Sequence, residues 1–460
     1  MYSARFTGKV MKKKAYNTTV YQSYYDHDVG KVRFCSHDPF NTSETIKFLM
    51  DPPVSDARAD DFIVDEFNAD FTNAVLKYHH QTNLVRDEFY FHKRVRLSRI
   101  GLIAPTYTEH QFPRMSSLAP NCNPSDLVAL DSYLNAYMQD PTAFGACPIV
   151  DMLHLTLDIS DRVVAKLRTA IKSAPKKYFT VVTTGDTKQL KHNHEAYERY
   201  ALFKNHLGEY ITLYWGMRPE IRQKRTKHRL GKLSFNPARF TRKELKSFFH
   251  WLKGVIGSKG QKVIKTANVT RVDIALDLIG VPANALLLDQ PNSSDMTIVL
   301  NRIRHSHFIS REHLALGTMS IGPSNSSKTT VYDKALKLFH SGPNHIPLIW
   351  QERLLNISRI ERKHNPADHR PYNLSELALK TPFFLKGTVL YRPLLLSQLD
   401  DGQLADVKKV NFTYWLRHGD GVKKLGIDLL ESFLIQLNTP YMKDLQRKEL
   451  RYLAKVIADA

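Results

Sequence analysis

Residues 271–278 read Arg-Val-Asp-Ile-Ala-Leu-Asp-Leu, and this strict alternation constrains the chain more than any other stretch of it. A period of two belongs to a β-strand, with Val272, Ile274, Leu276 and Leu278 on one face and Arg271, Asp273, Ala275 and Asp277 on the other. Such a strand suits a sheet whose apolar face packs on a core while the opposite face carries charge. Aspartate is disfavoured inside strands, so two on one face ask for a reason. Their hard oxygen atoms suit a divalent cation such as Mg2+ or Mn2+. Residues four apart along a strand lie about 13 Å apart, so one ion is not expected to take both. Asp273 is the first candidate ligand and Asp277 the second. The alternative is a charged face at a sheet edge.

A second run, Lys-Thr-Thr-Val-Tyr-Asp-Lys at 328–334, follows a turn-rich segment (Pro323-Ser324-Asn325-Ser326-Ser327) and the strand-like Thr-Met-Ser-Ile-Gly at 318–322. The pair reads as a β-hairpin. Alternation puts Thr330, Tyr332 and Lys334 on one face and Val331 on the other. A phenol beside an ammonium is thereby predicted. Tyrosine, with an ordinary pKa of about 10, becomes a nucleophile only when a cation or metal stabilises its phenolate. Lys334 suits that role or the holding of a phosphate. The bland alternative is a half-exposed tyrosine over a lysine stem. A bulge in this strand would exchange Asp333 for Lys334.

A third run, Ile-Ser-Arg-Ile-Glu-Arg at 357–362, places Arg359 and Glu361 on one face. Glu361 with Asp273 would complete a metal site able to polarise a phosphate. A cross-strand ion pair is the structural alternative.

Composition narrows the partner. Lys and Arg number 66 against 45 Asp and Glu, a net charge of +21 over 460 residues, which points to a polyanion and to nucleic acid before membrane. No apolar run of about 18 residues and no secretory pattern after Met1 is present, so a soluble, cytoplasmic protein without a membrane partner is expected. Cys35, Cys122 and Cys147 form no CxxC, which supports neither a disulfide framework nor a zinc knuckle. A cationic loop over 218–239 carries Arg222, Lys224, Arg225, Lys227, Arg229, Lys232 and Arg239 with almost no acid, and its phosphate contacts would make affinity fall steeply with salt. Aromatic residues (Tyr214, Trp215, Phe235, Phe240) flank rather than interleave it, which favours duplex or hairpin DNA over a stacking channel.

Along the chain, an acidic segment (51–67) and an alternating aromatic and basic stretch (88–103) precede a proline-punctuated connection over 105–148 with one helical patch at 126–139. Strands are expected at 150–159, around Tyr178 and Ile211, at 269–278 and at 354–362. Helices are expected at 160–172, 240–256, 296–304 and 335–340, and in the last 60 residues at 422–437 and 441–457. The whole reads as an α+β protein: a catalytic core with a largely antiparallel sheet flanked by helices (149–400), an N-terminal mixed domain of unknown role (1–148) and a helical C-terminal segment (401–460).

In their order and spacing, VTRVDIALDL, TMSIGPSNSSKTTVYDK and SRIERK resemble the plasmid replication initiation factor family of rolling-circle initiators. IVDMLHLTLDI and KLSFNPARF are similar to segments of filamentous phage gene II type proteins. The resemblance spans residues 149–366. It implies a metal-dependent, site-specific DNA nicking-joining endonuclease for rolling-circle replication of a plasmid or phage. By matching position Tyr332 is the nucleophile with Lys334 beside it, and Asp273 and Glu361 hold the metal. Asp277 matches the plasmid pattern but not the phage one. The products would be a 5′-phosphotyrosine and a free 3′-hydroxyl that primes a host polymerase. The implied partners are double-stranded origin DNA, the nicked single strand, host helicase and DNA polymerase, and a second copy in a homodimer.

Two rivals stand beside this reading. Nucleases with a His-hydrophobic-His metal pair would need more than His192-Asn193-His194 or His305-Ser306-His307, whose middle residues are polar, although Tyr133 and Tyr137 have the spacing of that class's paired tyrosines. A non-enzymatic DNA-binding regulator, of repressor or partition type, would need a clean helix-turn-helix near 428–453.

Overall fold

A computed structural model describes residues 17–26, 31–36, 120, 122, 124–144, 146–186, 196–205, 208–220, 230–279, 281–304, 312–323, 327–334, 357–366 and 371–460. The stretches 51–67 and 88–103, both His-x-His runs, Arg222 to Arg229 of the cationic loop and the helix expected at 335–340 lie outside them.

The chain enters as β1 (Asn17–Asp26) and β2 (Lys31–Ser36), then α1 (Pro124–Gln139), β3 (Ile149–Leu157) and α2 (Asp161–Ala170). Four strands follow: β4 (Thr180–Asp186), β5 (Tyr197–Lys204), β6 (Tyr210–Met217) and β7 (Gly231–Phe235). Helices α3 (Arg242–Ile256) and α4 (Gly260–Lys265) lead into β8 (Asn268–Ile279) and the short β9 (Leu287–Asp289). The next strands are β10 (Asp295–Arg304), β11 (Glu312–Ile321), β12 (Ser327–Asp333), β13 (Ile357–His364) and β14 (Tyr372–Asn373). After α5 (Leu377–Lys380) and β15 (Val389–Tyr391) the chain is helical: α6 (Asp401–Val410), α7 (Phe412–His418), α8 (Gly421–Leu425), α9 (Ile427–Ser432) and α10 (Pro440–Ala458).

The protein is α+β. Among the described residues thirteen strands form one sheet in the order β2-β1-β10-β11-β12-β13-β8-β3-β7-β6-β5-β4, with β14 paired to the start of β8. Every pairing is antiparallel except that of β1 with β10. β1 thus joins the same sheet as the strands of the core. Helix α1 sends Leu130, Leu134 and Tyr137 into the main apolar cluster.

That cluster lies on the face formed by Val331, Ile360, Val272, Ile274, Leu276, Leu153, Leu155 and Leu233. Helix α3 starts with a capping box, in which Glu244 N donates to Thr241 Oγ1 (3.2 Å) and Thr241 N donates to Glu244 Oε2 (2.6 Å). It buries Leu245, Phe248, Phe249 and Leu252 there, with Phe248 edge-on to Phe203 at 5.1 Å. Helix α10 adds Met442, Leu445, Leu450, Leu453, Val456 and Ile457. Burying one face of the sheet in this way leaves its polar residues together on the other.

Three expectations need correction. Residues 296–304, read as a helix, form strand β10 between β1 and β11, because Met296 and Ile298 alternate into the core. Lys232 belongs to β7 rather than to a loop, and Arg239 closes the 3-10 turn Pro237–Arg239. The 422–437 helix is two short helices divided at Gly426, whose φ of 80° breaks the helical path. A segment containing the Leu434–Tyr391 bridge then precedes α10. That segment, 433–439, is longer than the turn of about 3–4 residues in a helix-turn-helix. Among the described residues no helix is long and apolar enough to cross a membrane.

Candidate active site

The strands carrying the three sequence runs are direct neighbours, β12-β13-β8, and their register decides what meets. Tyr332 opposes Arg359, Thr330 opposes Glu361, and Val331 opposes Ile360 on the apolar face. Across the next seam Arg359 opposes Asp277, Glu361 opposes Ala275 and Lys363 opposes Asp273. No register shift interrupts β12, so Thr330 and Tyr332 keep the face that alternation assigned them, and Lys334, the residue after the strand, lies near enough to Arg359, Asp151 and Asp277 to feel their charge. Strand β8 is central rather than an edge, and its two aspartates are buried, Asp273 at 1% exposure and Asp277 at 4%.

Tyr332 is buried (3% exposed) and its hydroxyl donates to Glu361 Oε2 at 3.0 Å. The ring is therefore not half-exposed over a lysine stem. Burial pushes the phenol well above its ordinary pKa, with Glu361, Asp151 and Asp277 adding to the rise and Arg359 opposing it. Deprotonation in place thus needs a base, and Glu361 is the carboxylate within reach.

Arg359 (2% exposed) is held on three sides. Nε and Nη2 donate to the two oxygens of Asp277 at 2.5 and 2.7 Å, and Nη1 donates to Asp151 Oδ1 at 2.6 Å. This fork against a carboxylate is the strongest geometry open to a guanidinium. Arg359 pairs with Asp277 straight across the strands, not with Glu361 on its own strand. Asp151 reaches it because β3 shifts register between Val150 and Met152, and a bulge re-aims a side chain. Asn236, ahead of the Pro237–Arg239 turn, donates from Nδ2 to the same Asp151 oxygen at 3.0 Å. Burial works against the charge of Asp151, but Arg359 and Lys334 hold it well below the usual carboxylate range.

Lys334 completes the cluster at 7% exposure. Burial and Arg359 bring its pKa down to about 7, against the pull of Asp151 and Asp277. Asp273 stands two same-face positions along β8 from Asp277, bound through both oxygens by Arg271, whose Nε lies 2.9 and 3.0 Å from them while Nη2 closes the fork. Burial raises the Asp273 carboxyl despite that partner. Where β3 begins, with Ile149 opposite Ala275, Tyr137 Oη donates to the Asp277 backbone carbonyl at 2.9 Å, so Tyr137 of α1 supports β8 from the core.

The structure therefore brings together Tyr332, Lys334, Glu361 and Asp277, with Asp273 beside them. It does not leave the carboxylates arranged for a divalent cation. Asp273 and Asp277 each give both oxygens to an arginine, Glu361 accepts from Tyr332, and Asp151 accepts from Arg359 and Asn236. Four carboxylates meet four cationic groups, Arg271, Arg359, Lys334 and Lys363. As built, the donor set fits guanidinium and not Mg2+ or Mn2+. Asp151 and Asn236 escaped the sequence reading. The available signal was a third aspartate inside an alternating strand, Val-Asp-Met-Leu-His-Leu at 150–155, but the bulge that aims it is set by pairing alone.

Of the cationic stretch, Lys232 sits on the polar face with Nζ 5.7 Å from the centre of the Tyr214 ring. Arg239 pairs with Glu209 at 3.6 Å. No protein-family model and no curated protein sequence matches this chain.

Proposed function

We propose that this protein is a replication initiator that nicks one strand of an origin by tyrosine transesterification, for rolling-circle replication of a plasmid or phage. The observation that carries the reading is the hydroxyl of Tyr332 hydrogen-bonded to Glu361 at 3.0 Å, opposite the clamped guanidinium of Arg359. A nucleophile, a base within reach and a third group that orients the surroundings are the parts that covalent catalysis requires. Clustered charges inside a sheet face are also more readily explained by function than by stability, since buried ion pairs contribute little net stabilisation.

In this mechanism Glu361 takes the phenolic proton as Tyr332 Oη attacks a backbone phosphorus. The P–O3′ bond breaks, the new Tyr–O–P bond retains the 5′ side, and the 3′ oxygen leaves as a hydroxyl after taking a proton. In this reading Lys334, whose pKa burial lowers to about 7, delivers it. Attack of the 3′-hydroxyl on the phosphotyrosine reverses the step and rejoins the strand. Because Tyr332 is buried, the phosphate reaches Oη only when the overlying side chains part. The net charge of +21 supports DNA as substrate, and Lys232 over Tyr214 supplies a cation on the same sheet face.

Burial favours one other reading, a non-enzymatic DNA-binding regulator whose ion-paired cluster only braces the sheet. Incubation with supercoiled origin DNA separates the two. Relaxation with a covalent adduct that Tyr332→Phe abolishes supports the nuclease; binding without an adduct supports the regulator. Nicking by Tyr332→Phe at the parental rate would sink the assignment of the nucleophile.

A further inference from the structure

The sequence pattern leads one to expect a divalent cation beside Tyr332, yet the position across the strand pair is taken by Arg359. Its guanidinium has both edges filled, by Asp277 on one and Asp151 on the other, and Asn236 fixes Asp151 in turn. A hard cation needs several oxygens at about 2.0–2.6 Å; recruiting Asp277 would break a bidentate arginine pair buried in the sheet, and recruiting Asp273 would displace the partly exposed Arg271. We infer that Arg359, clamped by Asp277 and Asp151, replaces a divalent cation at this site, so that these carboxylates orient a guanidinium instead of coordinating a metal. The inference rests on Tyr332 being the nucleophile. Arg359 acts as a positioning residue: its fixed charge opposes the negative charge that develops on Tyr332 Oη as the proton passes to Glu361, and it makes no contact with DNA. Fixed charge of this kind needs no reorganisation during the reaction.

Two measurements on the full-length protein test this. In the first, bound Mn2+ is counted by electron paramagnetic resonance for the parent, Asp273→Asn and Glu361→Gln. Equal counts are expected, and loss of one equivalent in either variant overturns the inference. Because these variants disturb buried charges, anomalous diffraction from Mn2+-soaked parental crystals decides the question without a substitution: density beside any of Asp151, Asp273, Asp277 and Glu361 overturns the inference, and its absence there upholds it. In the second, adduct formation on supercoiled DNA is compared in EDTA and in Mn2+, and its pH profile is compared among parent, Arg359→Lys and Arg359→Gln. The adduct should persist in EDTA. Arg359→Gln should lower its rate about 100-fold and move the profile to higher pH, with partial rescue by Arg359→Lys. Abolition by EDTA, or an unmoved pH profile in Arg359→Gln, refutes the role. An adduct absent in both buffers defeats the nuclease reading itself, and the Mn2+ count then still decides whether the carboxylates hold a metal.

Discussion

Replacing Arg359 by methionine tests the buried cluster most directly. The substitution keeps an unbranched apolar stem but removes the guanidinium and with it three charge-assisted hydrogen bonds, two to Asp277 and one to Asp151. Asp277 is 4% exposed, so its charge loses the guanidinium while still inside the sheet, whereas the Asp151 side chain, at 16%, keeps Asn236 and some water. Breaking a buried pair from one side costs about 3–5 kcal/mol. Set against a total stability of about 5–15 kcal/mol, the loss is large. Replacing both partners, Arg359→Met with Asp277→Leu, removes the uncompensated charge, and the double variant should recover about 2–3 kcal/mol relative to the sum of the singles. Urea unfolding followed by tryptophan fluorescence measures this as a shift in midpoint at unchanged slope. Additive single effects would show that the pair is not coupled and would refute the energetic reasoning. The pH dependence has a definite sign. Asp151 has a folded pKa below its unfolded value of about 3.9, so its stabilisation is complete above that pH and disappears as acid protonates the folded group. Arg359→Met should remove this part of the acid transition.

Other outcomes follow from neighbouring contacts. Tyr332→Phe loses one hydrogen bond to Glu361 and should cost only about 1 kcal/mol by thermal unfolding, while all covalent adduct disappears. Lys334 has a folded pKa lowered to about 7 from 10.5, so its contribution is present above the unfolded value and lost as the pH falls toward 7; Lys334→Met should flatten stability over that window, as read by unfolding at several pH values. Gly322 adopts φ +108°, and a Cβ there would lie 2.5 Å from the Ser327 carbonyl, so Gly322→Ala should destabilise the β11–β12 hairpin by about 1–3 kcal/mol and slow adduct formation together. Lys232→Ala should weaken DNA binding and reduce the slope of log affinity against log salt by about 1, measured by fluorescence anisotropy.

Alternation alone determined a good deal of this protein. Period-two patterning at 271–278, 328–334 and 357–362 assigned each of Asp273, Asp277, Tyr332, Lys334, Arg359 and Glu361 to a face, because a strand offers only two directions and the apolar residues claim one. The largely antiparallel α+β architecture was legible for the same reason. Residues 296–304 misled, since a short mixed run of apolar and basic residues satisfies either period until neighbours pair with it. The partners were not legible. Whether Arg359 meets Glu361 on its own strand or Asp277 across the seam depends on a register fixed by pairing over 82 residues of separation. The approach of Asp151 depends on a bulge in β3 and on Asn236 from a turn 85 residues away. Sequence thus decided which side chains share a face, a local consequence of backbone geometry. Only the tertiary structure decided that Asp273 and Asp277 meet arginines while Glu361 meets Tyr332, because charge pairing at 2.5–3.0 Å is set by long-range register.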